Sequence, residues 1–194
     1  MTAEEKVGMR SFVALMRGIN VGATRKLPMA ELRALCPTLG LERAETYIQS
    51  GNLIVDAEGS PEDVRDLLER ELTARFGFKV DVITRTATDW EAYVAANPFS
   101  CDINVLPKAL HLYLSRDPVT SRAADALTQR ALSRERIAFA GDAIWIDYGA
   151  EGIRDSKLTP GFIDKACGSP TTGRNWNSVL KIQEIISTRN SSRA

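Results

Sequence analysis

The sequence predicts an α+β protein of two small lobes, a ferredoxin-like (split βαβ) N-terminal lobe and a related β-α-β-β-α C-terminal lobe. Three observations carry that expectation. Apolar periodicities alternate between helical and extended in the order β-α-β-β-α-β through the first half of the chain. A glycine-containing dipeptide between two extended runs, Ser50-Gly51 and again Gly141-Asp142, signals one hairpin in each half. The 194 residues, 44% hydrophobic and 26% charged, suffice for a real core without metal or disulfide staples.

In the first lobe, residues 11–17 form an apolar run bounded by Gly18 and read as a strand. A polar loop, residues 18–27, leads to a helix opening at Pro28, with Met29, Leu32, Leu35 and Cys36 at helical spacing and Gly40 past its end. Residues 45–49 and 52–56 are the hairpin strands. The second helix has Ser60 as cap, Pro61 at its first position and Glu62 and Asp63 facing the dipole. Its stripe is Val64, Leu67, Leu68, Leu72 and Phe76, and Gly77 ends it. Residues 80–84 are the closing strand.

A helix over 88–96 and the turn Asn97-Pro98-Phe99 lead into the second lobe. There residues 109–114 read as a strand, 120–132 as a helix, 136–140 and 143–147 as a hairpin, and 160–166 as a short helix. A last helix spans about 175–187, with Trp176, Val179, Leu180, Ile182 and Ile186 on a wide apolar face. No closing strand is evident in this half. The expected divisions are residues 10–97, residues 98–188 and a disordered tail, residues 189–194.

Composition prunes the function classes. Lys and Arg number 25, as do Asp and Glu, so no overall field draws the protein to polyanions or anionic membranes. Cys36, Cys101 and Cys167 form no C-x-x-C pair, which suits unpaired thiols in a cytoplasm. His111 is the single histidine, which excludes multi-histidine zinc and iron sites, and no metal site is expected. Glu4 and Glu5 precede a very short apolar run, neither a signal peptide nor a membrane span, so no membrane partner is expected.

Two polar stretches could carry chemistry. In a split βαβ sheet the third strand runs back beside the first two, so the loop over 18–27 and the Ser50-Gly51 turn share one end. Arg17, Asn20, Arg25, Lys26, Gln49, Ser50 and Asn52 are expected to converge there, with Gly18 and Gly22 letting backbone N–H groups approach a ligand. The plainer reading is that the glycines and Asn52 serve turns and the cations are solvated. The second stretch, Thr171 to Trp176, stands at the expected start of the last helix, a seat for anions. Gly168 and Gly173 have phosphate-loop spacing, but Arg174-Asn175 replaces the required Lys-[Ser/Thr], so that motif fails. The plainer reading makes Thr172 or Asn175 a helix cap and Trp176 a packing anchor.

Other candidates are weaker. His111 alternates with strand leucines and reads as a half-buried histidine. Asp147, Glu151, Asp155 and Lys157 could supply acid–base groups, but no spacing singles them out. Leu53, Ile54 and Val55 put no aromatic where an RNA-binding sheet would show one.

Four segments carry a family resemblance: Met16-Arg17-Gly18-Ile19-Asn20-Val21-Gly22, Tyr47-Ile48-Gln49-Ser50-Gly51-Asn52, Asn97-Pro98-Phe99, and Thr172 with Arg174-Asn175-Trp176-Asn177. Together they resemble the bacterial domain-of-unknown-function family numbered 1697, over about residues 10–186. The resemblance implies two small α+β lobes and no established activity, cofactor or catalytic residue. Ala23-Thr24 departs from the family's glycine and lysine, and Ser178 from its usual threonine.

The function expected is binding, or metal-free transfer or hydrolysis, of a small anionic molecule, phosphorylated or nucleotide-like, in a pocket between the lobes. Arg17, Lys26 and Arg174 would hold charge, Gln49, Asn52, Thr172 and Asn175 would orient the ligand, and Trp176 would wall it. A nucleic-acid binder using Lys181, Arg189 and Arg193 as well ranks second, and a ligand-free protein-interaction module third. Catalytic residues, cofactor and oligomeric state do not follow from the sequence.

Overall fold

A computed structural model describes residues 8–22 and 24–191; Glu4, Glu5, Ala23 and Arg193 lie outside the described residues. The chain divides into two compact units, one ending at Thr88 and the other beginning at Asp89. That boundary precedes the expected one because α3 (Ala87–Ala95) packs with the second unit: Trp90 is fully buried and its indole N–H donates to the Val179 carbonyl at 3.2 Å.

The first unit contains β1 (Arg10–Arg17), α1 (Met29–Leu35) followed by a 3₁₀ turn (Cys36–Leu39), β2 (Glu42–Tyr47), β3 (Asn52–Ala57), α2 (Pro61–Phe76) and β4 (Asp81–Thr86). Its sheet runs in the order β2-β3-β1-β4, every neighbouring pair antiparallel. Phe12, Ala14 and Met16 alternate along β1 and join Leu53, Val55 and Val82 in one core with Leu32 of α1 and Val64, Leu68 and Leu72 of α2. The α2 start follows its sequence closely. Asp63 N–H donates to Ser60 Oγ at 3.1 Å and Ser60 N–H to Asp63 Oδ2 at 2.8 Å, a reciprocal cap. Gly77, at φ 73°, ends the helix in the left-handed conformation.

The hairpin differs from the expected two-residue turn. β2 stops at Tyr47, opposite Asn52, and four residues, Ile48 to Gly51, make the connection. Ile48 (φ 50°) and Gly51 (φ 76°) both turn left-handed, so Ile48 leaves the strand that its side chain would favour.

The second unit adds β5 (Leu110–Ser115), α4 (Ser121–Arg130), β6 (Arg136–Ala140), β7 (Ala143–Asp147), α5 (Pro160–Cys167), β8 (Thr171–Asn175) and α6 (Trp176–Ser191). Its sheet order, β6-β7-β5-β8, repeats that of the first unit, again antiparallel throughout. β8 is therefore the closing strand that the sequence did not reveal. It pairs with β5 over Thr171↔Ser115 to Asn175↔His111, so the stretch expected at a helix start is ladder instead. α6 also continues to Ser191, taking residues 189–191 of the expected tail into a helix, with Arg189 buried on it. Tyr113, Ile144 and Ile146 pack on Leu127 of α4 and Ile163 of α5 across one sheet face.

Candidate functional site

The loop after β1 and the β2–β3 turn do meet at one end of the first sheet. Asn20 (φ 54°) joins them: its Nδ2 donates to the Leu27 carbonyl at 3.0 Å and to the Gln49 carbonyl at 2.8 Å. Its Oδ1 accepts from Leu27 N–H at 2.8 Å, and its own N–H donates to the Arg25 carbonyl at 3.0 Å. A left-handed residue with a short amide side chain suits such a staple. Met16 N–H donates to the Gly51 carbonyl at 2.8 Å. A methyl group at Gly51 would lie 2.7 Å from Met16 Cβ and from Ile19 Cδ1, so glycine is required for close approach as well as for its φ.

Cations ring this junction. Arg17 ends β1 opposite Asp81 of β4, with Nη1 3.6 Å from Asp81 Oδ2. Lys79 Nζ lies 3.2 Å from Asp81 Oδ1. The Arg25 guanidinium sits 5.6 Å from the Phe78 ring centroid and donates to the Lys79 carbonyl. Lys26, Gln49 and Ser50 are exposed. Asn52 is fully buried, donating from Nδ2 to the Tyr47 carbonyl at 2.9 Å and to Ser50 Oγ at 3.1 Å, so it shapes the turn from inside. Of the residues expected here, Asn20 and Asn52 thus hold the frame, while Arg17, Lys26, Gln49 and Ser50 face outward to different degrees. Sequence reasoning missed Lys79, placed by the short Gly77–Val80 link between α2 and β4. It also missed Ile48 as an exposed residue, because it reads as an ordinary strand aliphatic.

The second stretch belongs to the interior of the second unit. Arg174 is 8% exposed and donates from Nη1 to Thr172 Oγ1 at 2.7 Å and to the Gly173 carbonyl at 2.9 Å. Burial pulls its guanidinium down to about 10. Thr171 donates from N–H and Oγ1 to Asp164 Oδ1 at 2.9 and 2.7 Å. Asn175 Oδ1 accepts from Ser178 N–H at 3.0 Å, capping α6, and Trp176 meets Trp145 edge-on at 5.6 Å between centroids. Cap and anchor are the roles seen.

Three of the remaining candidates, His111, Asp147 and Glu151, have structural partners. His111 Nδ1 lies 3.0 Å from the Ala109 carbonyl and its ring meets Tyr148 edge-on, and burial lowers its affinity for a proton. Asp147 accepts from Arg136 at 2.6 Å and from Gly149 N–H at 3.1 Å, and Glu151 pairs with Arg134 at 3.1 Å. Among the described residues, no three His, Cys, Asp or Glu side chains gather as a metal-ligand set, and no helix is long and apolar enough to cross a membrane. A cavity of about 260 Å³ in the first unit is lined by Met9, Leu39, Leu41, Val64 and Leu67 with Glu58 and Asp63; its charges are acidic and it does not include the cationic junction.

The fold and this junction define a two-unit α+β protein built on one repeated four-stranded sheet topology, with a stapled basic loop at one sheet end. The chain belongs to the family described as a protein of unknown function, DUF1697, whose model matches residues 9–145. That match includes the first three family-like segments and stops before the fourth, in β8 and α6. The chain is also similar to the conserved bacterial protein SP0830 from Streptococcus pneumoniae, at 25% identity and a TM-score of 0.71, over 92% of this chain and 99% of that one. No curated protein matches the chain.

Proposed function

We propose that the protein binds a small anionic molecule at the end of the first sheet, where the β1–α1 loop meets the β2–β3 turn. The observation that carries this reading is the Asn20 staple. Its bonds to Leu27 and Gln49 fix a loop with Gly18, Asn20, Gly22 and Arg25 all at positive φ. Such a backbone is organised before any ligand arrives, and left-handed turns of this kind are a common way of offering N–H groups to an anion. Lys26 supplies an exposed charge, Arg17 and Lys79 flank Asp81, and Gln49 and Ser50 supply exposed polar groups. A local cluster on a chain of zero net charge suits a compact anion better than a polynucleotide. Arg189, one of the cations a polynucleotide would use, is buried on α6.

We place the protein in a reducing compartment, the cytoplasm, since Cys101 is a free, exposed thiol. Thermal shift with pyrophosphate, in wild type and Lys26→Ala, tests the binding reading. Stabilisation that the substitution abolishes supports it. A flat response to pyrophosphate and to other small anions removes it.

A further inference from the structure

We propose that the anion held at this junction is a nucleoside phosphate, with Ile48 and Val21 forming the wall for its base. This rests on the anion-binding reading and adds the part of the ligand that carries no charge. Val21 is 70% exposed and Ile48 50% exposed. Each is the chain neighbour of a residue in the Asn20–Gln49 hydrogen bond, so both aliphatic residues belong to the two segments that the staple joins at one end of the sheet. Neither belongs to the hydrophobic core of the unit. Ile48 also has φ 50°, a conformation that disfavours β-branched residues. A residue both strained and exposed contributes little to the fold, and such outliers gather at binding sites. Single exposed aliphatics need no explanation, but two at the same sheet end as Lys26 and Arg17 give that end apolar as well as cationic groups.

The chemistry of the rim separates ligand classes. Inorganic phosphate or a sugar phosphate uses Lys26 and the loop N–H groups and leaves the aliphatic pair in water. An acyl phosphate would cover the pair yet ignore the Gln49 amide. A nucleobase offers an apolar face to Ile48 and Val21 and a donor–acceptor edge to Gln49, whose exposed amide can both give and accept.

Titration calorimetry with the four nucleoside 5′-monophosphates, ribose 5-phosphate and pyrophosphate tests this in wild type, Lys26→Ala and Ile48→Gly. Glycine relieves the φ of Ile48 while removing its side chain, so that variant retains its fold. The expected result is a nucleoside monophosphate bound at least about tenfold tighter than ribose 5-phosphate. Ile48→Gly should erase that difference and leave ribose 5-phosphate unchanged. A monophosphate no tighter than ribose 5-phosphate, or a preference that survives Ile48→Gly, overturns the inference. In either case Lys26-dependent binding of ribose 5-phosphate or pyrophosphate keeps the anion reading alive. Absence of binding by all of these ligands sinks both.

Discussion

The side-chain amide of Asn20 donates to the main-chain carbonyl of Gln49, tying the loop after β1 to the turn before β3 across 29 residues of sequence. The same side chain also closes its own loop on Leu27 in both directions. One residue thus sets the shape of both segments from which the candidate site is built.

Asn20→Ala should cost about 2–4 kcal/mol in urea unfolding, from three lost hydrogen bonds at about 1 kcal/mol each and a β-carbon held left-handed. Asn20→Gly should recover about 1 kcal/mol of that loss, because glycine accepts the φ and lacks only the bonds. Equal losses in the two variants would show that the φ contributes nothing.

Gly173 of β8 lies directly across from Tyr113 of β5, and a methyl group there would meet the tyrosine ring at 2.6 Å. The ring is held from its far end, with the Tyr113 and Tyr148 hydroxyls 2.8 Å apart. Gly173→Ala should therefore destabilise by about 1–3 kcal/mol, as overpacking does. In Tyr113→Leu the same glycine substitution should cost much less, a coupling of at least about 0.5 kcal/mol in a double-mutant cycle.

This pair also shows why β8 was hidden. Most elements advertise themselves through apolar alternation or caps: Ser60 and Gly77 bracket α2, and Gly141-Asp142 marks a two-residue hairpin closed by Ala140↔Ala143. Thr171-Thr172-Gly173-Arg174-Asn175 has no large apolar residue, yet three of its five residues are buried. Its burial is satisfied by Asp164 and by bonds within the strand, which one-dimensional patterning does not display. At the candidate site the meeting of loop and turn was legible from topology alone. The division of labour was not, because Asn20 and Lys26 look equally able to touch a ligand until the hydrogen bonds are known. Ile48 is the converse case, a strand former placed in a left-handed turn by Asn52 and Gly51.

Arg174 is expected to matter for stability and not for anion affinity. Arg174→Ala removes a packed stem and bonds to Thr172 and Gly173 and should cost about 2–4 kcal/mol. Arg174→Met keeps most of the volume and removes a buried charge, so its loss should be smaller. Pyrophosphate affinity, measured where both variants remain folded, should match wild type; a tenfold loss would assign Arg174 to the site.

His111 gives the pH profile a definite sign. Burial lowers its folded-state pKa from 6.5, so below that value the unfolded chain takes up a proton that the folded chain resists. The unfolded state then binds more protons, and stability rises with pH through this window. The contribution is full above pH 6.5 and is lost as pH falls toward the lowered value. Carboxylates add their own dependence at lower pH in both proteins, so the test is a difference. His111→Gln should show a shallower slope of unfolding free energy between pH 7 and about 5. Parallel slopes would mean that the imidazole is protonated as readily inside as outside.

The three thiols should separate by environment. Cys36 is buried in the first unit's core with Sγ 3.2 Å from the Leu32 carbonyl, and burial pushes it up to about 11. Cys167 is pushed up to about 11 by burial, with Asp164 adding to the effect. Cys101 is exposed. The thiolate is the reactive species, and at pH 8 a thiol of pKa 11 is ionised about one part in a thousand. Ellman's reagent at pH 8 should therefore label one thiol per chain quickly and two slowly, with all three appearing at once in guanidinium. Cys101→Ser should remove the fast phase alone and leave the melting temperature unchanged, since its side chain is exposed. A fast phase of two thiols in the native protein would show that α1 or α5 opens on the timescale of labelling, and peptide mapping of the labelled cysteine would say which.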